Sequence, residues 1–118
     1  MNNLNSVLIE GNLVADPILA TVANGANICR FSIASNRYYR NSEKESIEEV
    51  NYIDIDTWGN LAEVCGKYLT KGRKVRVVGR LKHDRWEDDD NTPRENYVIV
   101  AEHVEFYPDK KGKSEESE

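Results

Sequence analysis

Hydrophobic and polar residues alternate along most of the 118-residue chain, and only one stretch repeats at helical spacing. In "LNSVLIEGN", residues 4–12, Val7 and Ile9 alternate with polar neighbours, and Gly11 permits a bend. Asp16-Pro17 closes that segment. "ILATVANGANICRFSIAS" reads as two strands about Asn24-Gly25, a dipeptide that tolerates the positive φ of a tight hairpin, so residues 18–23 fold back on residues 26–35. Residues 40–49, "RNSEKESIEE", are polar and acid-rich and read as a long loop. "VNYIDIDTW" alternates strictly, with Tyr52, Asp54, Asp56 and Trp58 on one face and Ile53, Ile55 and Thr57 on the other. "NLAEVCGKYLTKG" is the helix. Asn60 is its expected cap, Glu63 completes a capping box, and Leu61, Val64, Cys65, Tyr68 and Leu69 share a face. Lys67 and Lys71 suit its C-terminal end, and Gly72 is its expected stop. "KVRVVGRLKHDRW" is a long strand with a bend offered by Gly79, "EDDDNTPREN" is a hairpin loop, and "YVIVAEHVEF" is the last strand.

Setting the early arm aside, the order is three strands, a helix and two strands. That predicts an all-β protein: an OB-fold, a five-stranded Greek-key barrel with one helix between strands 3 and 4. The globular domain is expected over residues 1–108. Residues 109–118 are charged, lack large apolar side chains and are expected to be a disordered tail.

The stretch "RFSIASNRYYRN", residues 30–41, sets two aromatic rings among fixed positive charges where a strand runs out. Tyr39, Tyr52, Trp58 and Trp86 fall near the ends or on one face of neighbouring strands, so several can share a surface. Flat rings stack on any nucleobase, at roughly 1–3 kcal/mol per base. The net charge of −5 speaks against a nucleic-acid partner, but the charges are segregated. Residues 67–85 hold eight Lys or Arg (Lys67, Lys71, Arg73, Lys74, Arg76, Arg80, Lys82 and Arg85) against one acid, Asp84. With Arg30, Arg37 and Arg40 they make a candidate phosphate track. Arg37, Arg40, Lys71, Arg73, Lys74, Arg76, Arg80, Lys82 and Arg85 are the expected phosphate contacts. Asp54 and Asp56 share the aromatic face and would repel phosphates, so they must lie off the strand path or pair with arginines.

Other chemistries find little support. Cys29 and Cys65 lack metal-ligand spacing and read as buried free thiols in a reducing compartment. His83 and His103 have no nucleophile at a telling spacing, and no phosphate-loop or zinc-protease motif occurs. "DDD" at residues 88–90 reads as a solvated loop tip. No metal or other cofactor is expected, and no catalysis. The start has no signal-peptide pattern and no run is long enough to span a membrane, which predicts a cytoplasmic protein.

The quoted segments "VLIEGNLVADP", "FSIASNR", "WGNLAEVCGKYLTKG", "VRVVGRL" followed by Trp86, and "HVEF" together resemble bacterial single-stranded DNA-binding proteins of the SSB family, from residue 4 to 107. The resemblance implies an OB-fold homotetramer that coats single strands in replication, recombination and repair, and is associated with the nucleoid. It implies base stacking by Tyr39, Tyr52, Trp58 and Trp86, two of them Tyr where the family often has Trp. Family members recruit replication and repair proteins through an acidic C-terminal tip that carries apolar residues, whereas "KSEESE" has the acids without them. An alternative is an OB-fold interaction subunit of a primosome- or recombination-type complex. RNA binding is physically close to DNA binding here.

Overall fold

The computed structural model describes residues 1–108, so the expected tail lies outside the described residues. The elements are β1 (Val7–Leu13), β2 (Ile18–Thr21), β3 (Asn27–Arg40), β4 (Ser46–Trp58), α1 (Gly59–Tyr68), β5 (Lys74–Glu87) and β6 (Pro93–Phe106). They form one sheet in the order β1-β5-β6-β4-β3-β2, and β1 also pairs with β3. That pairing closes β1, β5, β6, β4 and β3 into a five-stranded barrel, an OB-fold. Strand β2 is an arm outside it, paired among the described residues with β3 alone. Strands β4 and β6 run parallel, and the other pairs are antiparallel.

Barrel closure needs two sharp bends. Strand β1 leaves β5 and crosses to β3 at its end, where a Cβ on Gly11 would lie 2.6 Å from the Ala34 carbonyl oxygen. Strand β5 has its irregularity between Val78 and Gly79, and a Cβ on Gly79 would overlap the Val100 carbonyl oxygen. The interior is filled from alternating positions, by Cys29, Phe31 and Ile33 of β3, Ile55 of β4, Val75 and Val77 of β5, and Ile99 of β6. Ala62, Cys65 and Leu69 of the helical segment join the same core. Burial pushes the Cys65 thiol up to about 12 and raises Cys29 as well, so both are poor nucleophiles.

Three expectations need correction. The acid-rich stretch at residues 40–49 is not a long loop. Strands β3 and β4 continue as a hairpin to Arg40 and Ser46, because the acids of one strand face donors on the other. Asn36 donates to Glu48, Arg37 pairs with Glu49, and the Tyr38 hydroxyl donates to Glu48. The residue-87–96 loop likewise shrinks to residues 88–92, an Asp88-built turn. The Asp88 carboxylate accepts the backbone N–H groups of Asp90 and Thr92 and the Arg94 guanidinium. The helix begins at Gly59 with Trp58 at the cap position and no side-chain cap bond, and Glu63 instead accepts a hydrogen bond from Asn27, 2.7 Å. Its buried face is Ala62 and Cys65, which leaves Val64 and Tyr68 exposed. The helix ends at Tyr68, and Gly72 (φ 89°) turns the chain back onto Leu13.

Candidate nucleic-acid interface

The side chains of β3 and β4 that do not enter the core share an outer face. Cross-strand pairs there are Ile28 with Trp58, Arg30 with Asp56, Ser32 with Asp54, and Ala34 with Tyr52. Strand β6 adds Asn96 and Val98, and β5 adds Lys82, Asp84 and Trp86. The β5–β6 hairpin rises at one rim of this surface, and residues 14–18, leading into β2, rise at the other. Between them lies a groove of about 600 Å³.

Trp86 lines the groove and is 50% exposed. Asp54 and Asp56 lie on its floor. Tyr52 and Trp58 stand one alternation further along β4 in each direction, 68% and 39% exposed. By strand rise they are about 20 Å apart. The face thus presents three rings in the sense expected from the alternation. Tyr39 is placed differently. It pairs with Ile47, on the opposite side of the ribbon from Tyr52, and the Arg37 guanidinium lies 4.7 Å from its ring centre. Tyr38 instead shares the Tyr52 face and is 67% exposed.

The cations divide into two groups. Lys74, Arg76 and Arg80 sit in or just beyond the half of β5 that pairs with β1, away from the groove. There Arg76 reaches Glu10 at 2.7 Å and Glu105 at 3.6 Å, Lys74 lies 3.9 Å from Glu10, and Arg80 lies 3.6 Å from Glu102. The Tyr107 hydroxyl donates to the same Glu10 carboxylate, and this bond and the Arg76 bond hold Glu10 below its ordinary range. Arg73 donates to the Tyr107 carbonyl oxygen, also outside the groove. Arg40 donates to the Lys44 carbonyl at the tip of the β3–β4 hairpin. Lys71 follows the helix, where its backbone N–H is fixed by Asp16. Lys82 lies 3.2 Å from Asp84. Arg85 lines the groove, as does Arg30, whose Nε donates to Asp56 at 3.1 Å.

Comparison with known proteins places this arrangement in a lineage. The pattern of the "Single-strand binding protein family" matches residues 4–107. The chain belongs to the single-strand binding protein family. It is 37% identical to "Single-stranded DNA-binding protein 2" of Chlorobaculum tepidum, over all of this chain and 80% of that one. It is 40% identical to a single-stranded DNA-binding protein of Treponema pallidum, over 90% of this chain but only 59% of that one. A solved structure described as "Plasmodium falciparum SSB complex with ssDNA" superposes with a TM-score of 0.83, covering 91% of this chain and 97% of that one. At 24% identity that likeness speaks to the fold.

Within this family scaffold, sequence reasoning passed over four residues that line the groove. Val14 and Ile18 are exposed apolar residues that line the groove. Their only signal was two uncovered hydrophobic positions on either side of Asp16-Pro17. Ser32 and Asn96 line it too, and their role is legible only from pairing across three strands.

Proposed function

We propose that the chain binds and coats single-stranded DNA in replication, recombination and repair, without catalysis and with broad sequence tolerance. The carrying observation is the half-exposed Trp86 on a groove flanked by Tyr52 and Trp58. A soluble surface holding three open rings on one sheet face has a use for them, and bases with accessible π-faces supply it. Arg85 and Arg30 line the groove, and Arg40, Lys71 and Lys82 stand near its rims or at the tip of the adjoining hairpin. In this reading they take the phosphates, with counterion release setting the salt dependence. Tyr39 stacks only if the strand wraps round the β3–β4 ribbon. Coating shifts hairpin equilibria by binding the unpaired form.

A homotetramer, a cytoplasmic nucleoid-associated location and contacts with replication and repair proteins belong to the same proposal. The edge of β1 over residues 7–11, which no strand of the described residues pairs, supports self-association, as does the exposed Leu8 on that strand. Sedimentation showing only monomers at micromolar concentration would remove the tetramer.

The chain has two tryptophans, Trp58 and Trp86, and both are on this face. Their intrinsic fluorescence therefore reports the site directly. Titration with a thymidine oligomer should quench it, less at high salt, and duplex DNA should not. Absence of both quenching and affinity would transfer the face to a protein partner.

A further inference from the structure

We propose that the β5–β6 hairpin carries a second stacking station on the face opposite the groove: the open side of the Tyr97 ring takes a nucleobase of a strand that has turned round the hairpin from Trp86. This rests on the single-strand reading above and extends the path of the strand beyond the groove.

Alternation separates the two faces of the hairpin. Asn96 and Val98 line the groove, so Glu95, Tyr97 and Ile99 belong to the other side. Ile99 lies in the barrel core and is 2% exposed. Strand β4 pairs with β6 at Val98, Ile99 and Val100, and β1 pairs with β5 as far as Gly79. Past these pairs the β5–β6 ribbon runs on to Glu87 and Pro93, and its core-side face comes into solvent. Tyr97 is the first residue of β6 on that face beyond Ile99. A ring that plugged the barrel end would be buried, whereas this one is 55% exposed.

The ring is also braced. Its cross-strand partner His83 stacks on it, with ring centres 4.4 Å apart and planes 13° apart. His83 Nε2 lies in turn 2.7 Å from Glu95 Oε1. The imidazole covers one face of the Tyr97 ring, so the other face is left for a ligand. A ring fixed in this way loses little freedom when a base settles on it. It accepts any base, so the station keeps the sequence tolerance of the groove. Trp86 pairs with Arg94, three register positions from the His83–Tyr97 pair and about 10 Å along the ribbon. Arg85 belongs by alternation to the Tyr97 side and yet lines the groove, so it borders both faces and meets the phosphates of a strand that turns between them. Tyr39, with the Arg37 guanidinium over it, stands on the core-side face of the β3–β4 ribbon in the same way.

The test measures the affinity of the full chain for thymidine oligomers of about 4 and about 16 nucleotides, the range an OB-fold occupies, by fluorescence anisotropy at one salt concentration. Tyr97→Ala should weaken binding of the long oligomer about tenfold and leave the short one, which the groove holds alone, unchanged. Tyr97→Phe, which keeps the ring, should bind both as the unaltered chain does. In a chain carrying Trp58→Phe and Trp86→Phe, the indole introduced by Tyr97→Trp should be quenched by the long oligomer and not by the short one. Undiminished affinity of Tyr97→Ala for the long oligomer, an equal loss at both lengths, a loss in Tyr97→Phe, or absence of that quenching overturns the proposal. If Trp86→Ala still weakens both oligomers in that case, the single-strand reading stands and only the second station falls. If the unaltered chain binds neither oligomer, both fall. The Tyr97→Trp quenching decides the matter if Tyr97→Ala does not fold.

Discussion

Strand β5 passes through two regions of contrasting chemistry, joined at its bulge. Before Gly79, Lys74 and Arg76 meet Glu10, Glu105 and Tyr107 in a network that uses each charge internally. After it, Trp86 and Arg85 line a groove that no part of the described chain fills. Both regions looked alike as a run of basic residues. The difference teaches that a cation counted along a chain is not a cation available to a ligand. Availability depends on what the neighbouring strand places opposite it, and here β1 supplies Glu10 to the first half of β5 only.

The largest effect should come from breaking the joint itself. Gly79→Ala drives a methyl into the Val100 carbonyl oxygen and should destabilise the fold by about 3 kcal/mol, read as a lowered urea midpoint. An unchanged midpoint would mean that the bulge does not separate the regions as drawn. Next is Trp86→Ala, which should weaken single-strand binding by about 1–3 kcal/mol with little loss of stability. Arg76→Ala, in the closed region, should leave affinity unchanged, and equal losses for the two variants would erase the contrast. Smaller still, Arg85→Ala should reduce the slope of log affinity against log salt by roughly 0.7, the single-strand value for one phosphate contact. Lys82→Ala should do less, because Asp84 already shares that charge.

The smallest effect concerns acid. Tyr107 and Arg76 lower the Glu10 pKa in the folded chain, so Glu10 contributes stability above its ordinary value of 4.5 and loses it as pH falls through the lowered one. Glu10→Gln should therefore flatten the acid limb of the stability profile and leave DNA binding at neutral pH as it was. A parallel loss of binding would tie the closed region to the groove.

The sequence was most readable where local rules agree with burial. Strict alternation in "VNYIDIDTW" put Tyr52, Asp54, Asp56 and Trp58 on one face, and that is their arrangement. Asn24-Gly25 set the arm's turn, with Gly25 at φ 90°. It was least readable where polar residues satisfy one another across strands. The hairpin of Arg37 with Glu49 looks like a loop in one dimension, because a two-sided polar ribbon has no hydrophobic alternation to announce it. The expected capping box at Asn60 failed because Glu63 found Asn27, on a strand far away in sequence.

By itself, then, the sequence determined the element order, the barrel class and the set of aromatic residues from which a binding face could be drawn. Periodicity and turn chemistry are local, and they suffice for these. Only the tertiary structure decided which ring lines the groove and which flank it, which arginines are already paired, and that Asp54 stands on its floor with no cation paired to it among the described residues. Those outcomes depend on cross-strand register, and register is set by contacts between segments that the chain keeps far apart.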